Sequence, residues 1–143
     1  MRHAAILYPL FALALWTGLV LLLIPIARIR AAGRGEVRGH DFKYGESAAV
    51  PPKVSIPNRN YMNLLELPML FYVVCLLLYA SGIATEHSIA LAWGYVILRI
   101  VHSGIHLTYN KVLHRLAAFA LSNVVLVALW VNAGVRLLSQ TNP

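Results

Sequence analysis

The sequence predicts an all-α integral membrane protein, a left-handed bundle of four helices built as one domain over residues 1–143. Three observations predict it. Hydrophobic residues make up 59% of the chain and charged residues only 12%, well below the charge share of ordinary soluble domains. Four apolar stretches reach or approach the roughly 20 residues needed to cross about 30 Å of hydrocarbon at about 1.5 Å per residue. The basic residues between those stretches gather on one side of the membrane.

The first stretch, Ala4 to Ile29 (AAILYPLFALALWTGLVLLLIPIARI), predicts a helix over about 4–29. Arg2 and His3 precede it, as they would precede a signal peptide. The run is far longer than the roughly 7 to 15 apolar residues of a signal, and RIRAAGRG brings basic residues before any convincing cleavage site. It therefore reads as a mature helix. Residues 30–60 follow as a basic loop, carrying Arg30, Arg34, Arg38, Lys43, Lys53 and Arg59 among glycines and prolines. That composition predicts an irregular segment, mobile or folded over the bundle mouth.

The second stretch, Tyr61 to Gly82 (YMNLLELPMLFYVVCLLLYASG), predicts a helix over 61–82, with Pro68 bending or interrupting it as Pro25 should bend the first. The third, Ile89 to Tyr109, predicts a helix over about 89–110 despite Arg99, His102 and His106. The fourth, Leu116 to Leu138, is clean except for Asn123, Asn132 and Arg136, and predicts a helix over about 114–138. Lys111 and Arg115 lie between the third and fourth, whereas the short loop between the second and third holds only Glu86. By the positive-inside rule the first and third loops are cytoplasmic and both termini lie on the other side.

A net charge of +7 thus suits a juxtamembrane loop beside anionic headgroups and needs no nucleic acid. No internal repeat, phosphate-binding glycine loop or nucleic-acid motif is present. Cys75 is the single cysteine, so no intrachain disulfide or CxxC chemistry is available, and it reads as a small apolar packing residue.

The polar groups inside the apolar runs carry the functional information. A charged residue near the centre of a membrane helix costs about 2.5 to 3.5 kcal/mol on insertion scales, so such residues face the bundle interior or a wet cavity. Arg59, Asn63 and Glu66 fall at i, i+4 and i+7, within about 60° of one helix face. Arg99, His102, His106 and Tyr109 fall at i, i+3, i+7 and i+10 on the third helix, within about a quarter turn. Both stripes reach the cytoplasmic rim, where Arg115 enters from the fourth helix. Pairing of Glu66 with Arg99 and interhelical glue from Asn63 would explain these residues structurally. Their convergence at one mouth, with arginines outnumbering carboxylates, favours a site for a small polar anion. His102 and His106 at i, i+4 would suit a shared metal ion or haem, but two histidines do not make a closed site, and no metal is expected.

Arg59-x-x-x-Asn63-x-x-Glu66, followed by Pro68 and Phe71 and then by Arg99-x-x-His102, resembles the membrane-associated proteins in eicosanoid and glutathione metabolism, the MAPEG family. The resemblance covers essentially the whole chain, and its transferase branch, the microsomal glutathione transferases, is the most similar in kind. It implies a homotrimer of four-helix protomers with glutathione bound at the cytoplasmic side, between the second helix of one subunit and neighbouring helices. Arg59, Asn63 and Glu66 match positions that line the glutathione site; Arg99 and His102 match the third-helix pattern. Arg115 matches the arginine that stabilises the glutathione thiolate. His106 and Tyr109 extend the same stripe and are expected to contribute to cofactor binding.

The chemistry agrees with elementary expectations. Arginines hold carboxylates by bidentate charge-assisted bonds, a buried glutamate holds an ammonium, and a guanidinium beside a thiol raises the thiolate fraction. The departures lie at His106, where eicosanoid-making members carry tyrosine, and at Leu116 and Phe119, where they carry serine and tyrosine. The expected activity is a glutathione-dependent transferase or peroxidase acting on hydrophobic electrophiles that arrive from the bilayer. The competing expectation is a noncatalytic protein on the same scaffold, binding a lipid or another small anion, or serving as a structural bundle. Its expected partners are its own copies, membrane lipids and a hydrophobic small molecule, and its expected location is a bacterial inner membrane.

Overall fold

The structure, a computed structural model, describes residues 2–141; Met1, Asn142 and Pro143, the ends of the 1–143 span, and the side chains of Arg2 and Thr141 lie outside the described residues. The described residues are helical without a β-strand, and four spans are long and apolar enough to cross a membrane: His3–Gly33, Pro52–Ala80, Glu86–Leu107 and Val112–Gln140.

A 3-10 turn, Arg2–Ile6, leads into α1, Leu7–Gly33. Pro9, Leu13, Thr17, Val20, Ile24 and Ala31 form its buried stripe at helical spacing. Phe11, Leu15, Leu19, Leu22 and Ile26 face outward, as a helix does when lipid is its other solvent. Pro25 lies within the helix, which continues beyond it to Gly33.

The segment from 34 to 51 is shorter than the expected loop of 30–60 and is folded against the bundle. Ala31, Val37, Val50 and Val54 enclose a small second core against which Phe42 packs. The Arg28 guanidinium lies 4.4 Å over the Phe42 ring and pairs with Glu46 at 3.2 Å, so one cation pins two points of the loop. On the loop's exposed side the Arg34 guanidinium, bonded to Glu36, holds that carboxyl below its usual range.

The second span starts at Pro52, well before Tyr61, and is two helices: α2, Pro52–Leu65, and α3, Pro68–Ala80. Pro52 occupies the first helical position, where its missing N–H costs nothing. Pro68 ends α2, because it offers no N–H to the carbonyl of residue 64. After Gly82, whose φ of 66° turns the chain back, Thr85 caps α4, Glu86–Leu107, its hydroxyl accepting from Ser88 N at 3.3 Å. α4 stops short of the expected 110, and α5, Val112–Thr141, extends past both ends of the expected 114–138.

α4 packs along α5 and α1 along α2, with α1 and α2 also touching α4. The main core, Leu13, Leu64, Phe71, Tyr95 and Leu129 among others, lies between them; the Phe71 and Tyr95 rings stack at 4.6 Å. Cys75 is buried in this core, unpaired. Two interhelical bonds set the register of α4: Asn60 Nδ2 donates to Ser103 Oγ at 2.6 Å near one end, and Ser88 Oγ donates to Asn132 Oδ1 at 2.7 Å near the other.

Candidate functional site

A cavity of about 420 Å³ opens at the end of the bundle where the second span begins, the third ends and the fourth begins. Its polar lining is Arg59 and Asn63 from α2, His102 and His106 from α4, Asn110 from the connection and Arg115 from α5. Ile56, Val112, Leu116 and Phe119 make its apolar wall. No carboxylate and no Ser, Thr or Tyr hydroxyl lines it.

Arg115 is oriented from the α4–α5 turn. Asn110 takes a left-handed φ of 49°, a conformation asparagine tolerates, and its Oδ1 accepts from Arg115 Nη1 at 2.8 Å. Arg59 is exposed at the rim, and its own carbonyl accepts from Asn63 Nδ2 at 3.0 Å, so Asn63 bonds back along its helix. His102 and His106 are buried, their rings 6.1 Å apart, and both reach the cavity while their Nδ1 atoms are sealed without a partner. With no acceptor at Nδ1, the neutral ring carries its proton on Nε2, which makes each histidine a donor.

Arg99 lies behind this cavity, not on its wall. It is fully buried, its guanidinium 5.5 Å from the Phe119 ring, and its Nη2 donates to the Asn63 carbonyl. In an unbroken helix that carbonyl would receive the N–H of Leu67. The break before Pro68 frees it, and the guanidinium serves as a C-terminal cap at the negative end of the α2 dipole. Nε and Nη1 of Arg99 remain sealed and unpartnered.

Five of the eight residues singled out from sequence, Arg59, Asn63, His102, His106 and Arg115, therefore share one cavity. Glu66 does not: it stands at the break, exposed on the outer surface, and its carboxylate makes no hydrogen bond or ion pair among the described residues. The i+7 spacing to Arg59 assumes a continuous helix through 66, and α2 ends at Leu65. Tyr109 falls beyond the last turn of α4 and is 55% exposed, its hydroxyl 3.2 Å from His114 Nδ1.

Asn60, Ser103 and Asn110 escaped the sequence reading. Asn60 and Ser103 are fully buried and join α2 to α4. The available signal was the neighbouring face of α2, on which Asn60 lies at i+6 from Val54 and i−4 from Leu64, opposite a small polar residue of the third span.

Residues 6–135 match the MAPEG family model. Comparison with curated proteins and with solved structures finds no match.

Proposed function

Since the chain belongs to the MAPEG family, we propose that it is a glutathione-dependent transferase or peroxidase acting on hydrophobic electrophiles. The family places it among the membrane proteins of glutathione and eicosanoid metabolism. The observation that carries the finer reading is the position of Arg115, which lines a donor-rich cavity, is steadied by Asn110 and has the apolar Leu116 and Phe119 beside it.

The residues fit the anionic groups of glutathione. Arg59 at the rim holds a carboxylate, and the two imidazoles offer further donors. When bound, glutathione supplies the thiol nucleophile. Arg115 favours negative charge at that sulfur by proximity of its guanidinium, and Leu116, Phe119 and Val112 receive the hydrophobic electrophile and exclude water beside it.

The ammonium group needs a carboxylate, which one protomer's cavity lacks. Glu66 supplies it if copies assemble. An exposed acidic side chain on a membrane helix costs about 2.5 to 3.5 kcal/mol unless covered, which supports the homotrimer with the site between α2 of one copy and its neighbours. The basic residues of the first and third loops support a cytoplasmic site, non-cytoplasmic termini and a bacterial inner membrane.

Calorimetry of glutathione binding to the purified protein, with Arg115→Ala and Glu66→Ala, tests this reading. Saturable binding lost in both variants supports it, and Arg115→Ala should lower conjugation of a hydrophobic electrophile by about 100-fold. Absence of binding by folded, assembled protein refutes it. The second reading, a noncatalytic binder of a lipid or small anion, is favoured by one feature: the hydroxyl-free wall at Leu116 and Phe119 offers the thiol no hydrogen bond. On that reading Glu66→Gln alters assembly or stability without touching any thiol reaction.

A further inference from the structure

The opposite mouth of the bundle holds a second cavity, of about 710 Å³, lined on its polar side by His3, Thr85, Glu86, His87 and Arg136. A smaller one of about 240 Å³ adjoins it and shares His3, Thr85 and Arg136. We propose that this cleft binds the headgroup of a phosphoethanolamine lipid, independently of the site around Arg115.

Depth argues for a lipid. The first and third spans begin at His3 and Glu86 and the fourth ends at Gln140, so the cleft opens where three spans leave the hydrocarbon. The phosphate-bearing matter at that level of a bilayer is the headgroup layer.

Charge argues for this headgroup. Arg136 has its Nε sealed without a partner and enters no ion pair among the described residues. A guanidinium in that position matches a phosphodiester by two parallel bonds, with the imidazoles of His3 and His87 beside it. The Nδ1 of His3 lies 3.0 Å from the Ala84 carbonyl, which ties the start of the first span to the wall of the cleft. Glu86, in the first turn of α4, places a carboxylate in the same lining and makes the cleft dipolar. A simple anion would meet that carboxylate; a zwitterion presents phosphate to Arg136 and ammonium to Glu86.

The surface leading from the cleft suits the rest of the lipid. Ile89 lines it, and Trp93 and Ile97 follow at i+4 and i+8 on α4, both exposed, so an apolar track descends from the headgroup position along the helix.

Native mass spectrometry of the full chain, delipidated and then offered defined lipids, tests the proposal. Wild type should retain a palmitoyl-oleoyl phosphoethanolamine lipid about tenfold over its phosphocholine counterpart, the difference expected for one charge-assisted hydrogen bond. Arg136→Gln should reduce that retention about tenfold, Arg136→Lys should restore part of it, and Glu86→Gln should erase the preference between the two headgroups. Equal retention by wild type and an Arg136→Gln protein of unchanged elution volume would overturn the site. Inorganic phosphate binding in an Arg136-dependent way, with no lipid retained, would assign the cleft to a soluble anion and overturn the lipid.

Discussion

Asn60 and Ser103 show how much a single polar pair does in this bundle. Both are fully buried, and their 2.6 Å bond aligns α2 with α4, so that Arg59 and Asn63 stand across the cavity from His102 and His106. Interhelical hydrogen bonds in membranes couple by about 0.6 kcal/mol on average and at most about 1.7. Asn60→Ala and Ser103→Ala should therefore show a coupling of that size in a double-mutant cycle read by unfolding in mixed micelles. A coupling of zero would mean the bond contributes nothing to register. At this scale the sequence was legible where composition alone forces a polar residue inward, as with His102 and His106. It was illegible where phase mattered: Glu66 was assigned to the face of Arg59, and the helix stops one residue before it. Asn60, the residue beside Arg59, belongs to the truly buried face.

The broken second span is the feature that most changes the reading of the elements. Pro68 removes an N–H, the Asn63 carbonyl loses its helical partner, and Arg99 takes over as donor. The two residues are one device, so their substitutions should not be additive. In Pro68→Ala the restored helix would satisfy that carbonyl, and Arg99→Leu should then be less destabilising, by about 1 kcal/mol, than in wild type. Additive effects in a thermal or denaturant assay would show that Arg99 caps nothing. The four spans themselves were legible because hydropathy summed over some 20 residues overwhelms local detail. The start of α2 was not, since PKVSIPNRN has little hydropathy; it is helical because Pro52 nucleates it and Val54 and Val50 close the small core against Ala31. The loop likewise looked open from its glycines, and the packing of Phe42 beneath Arg28 is a tertiary effect that local composition does not encode.

On the scale of the whole molecule, the chain is a bundle with a polar cavity at each mouth, one beside Arg115 and one beside Arg136, separated by a core without internal ion pairs among the described residues. The family match spans nearly all of that architecture, from residue 6 to 135. The upper end of the first cavity has a further consequence. His102 lies five residues inside the end of the third span at Leu107, about 7 Å along the helix, or roughly a quarter of the hydrocarbon thickness. An anion that settles beside it has crossed a comparable share of the transmembrane electric field, which is worth about 0.6 kcal/mol for each 100 mV, or nearly threefold in affinity. Binding measured in proteoliposomes under an imposed diffusion potential should change by that factor and reverse with polarity. The energised state of the membrane would then set how full the site is, without any moving part.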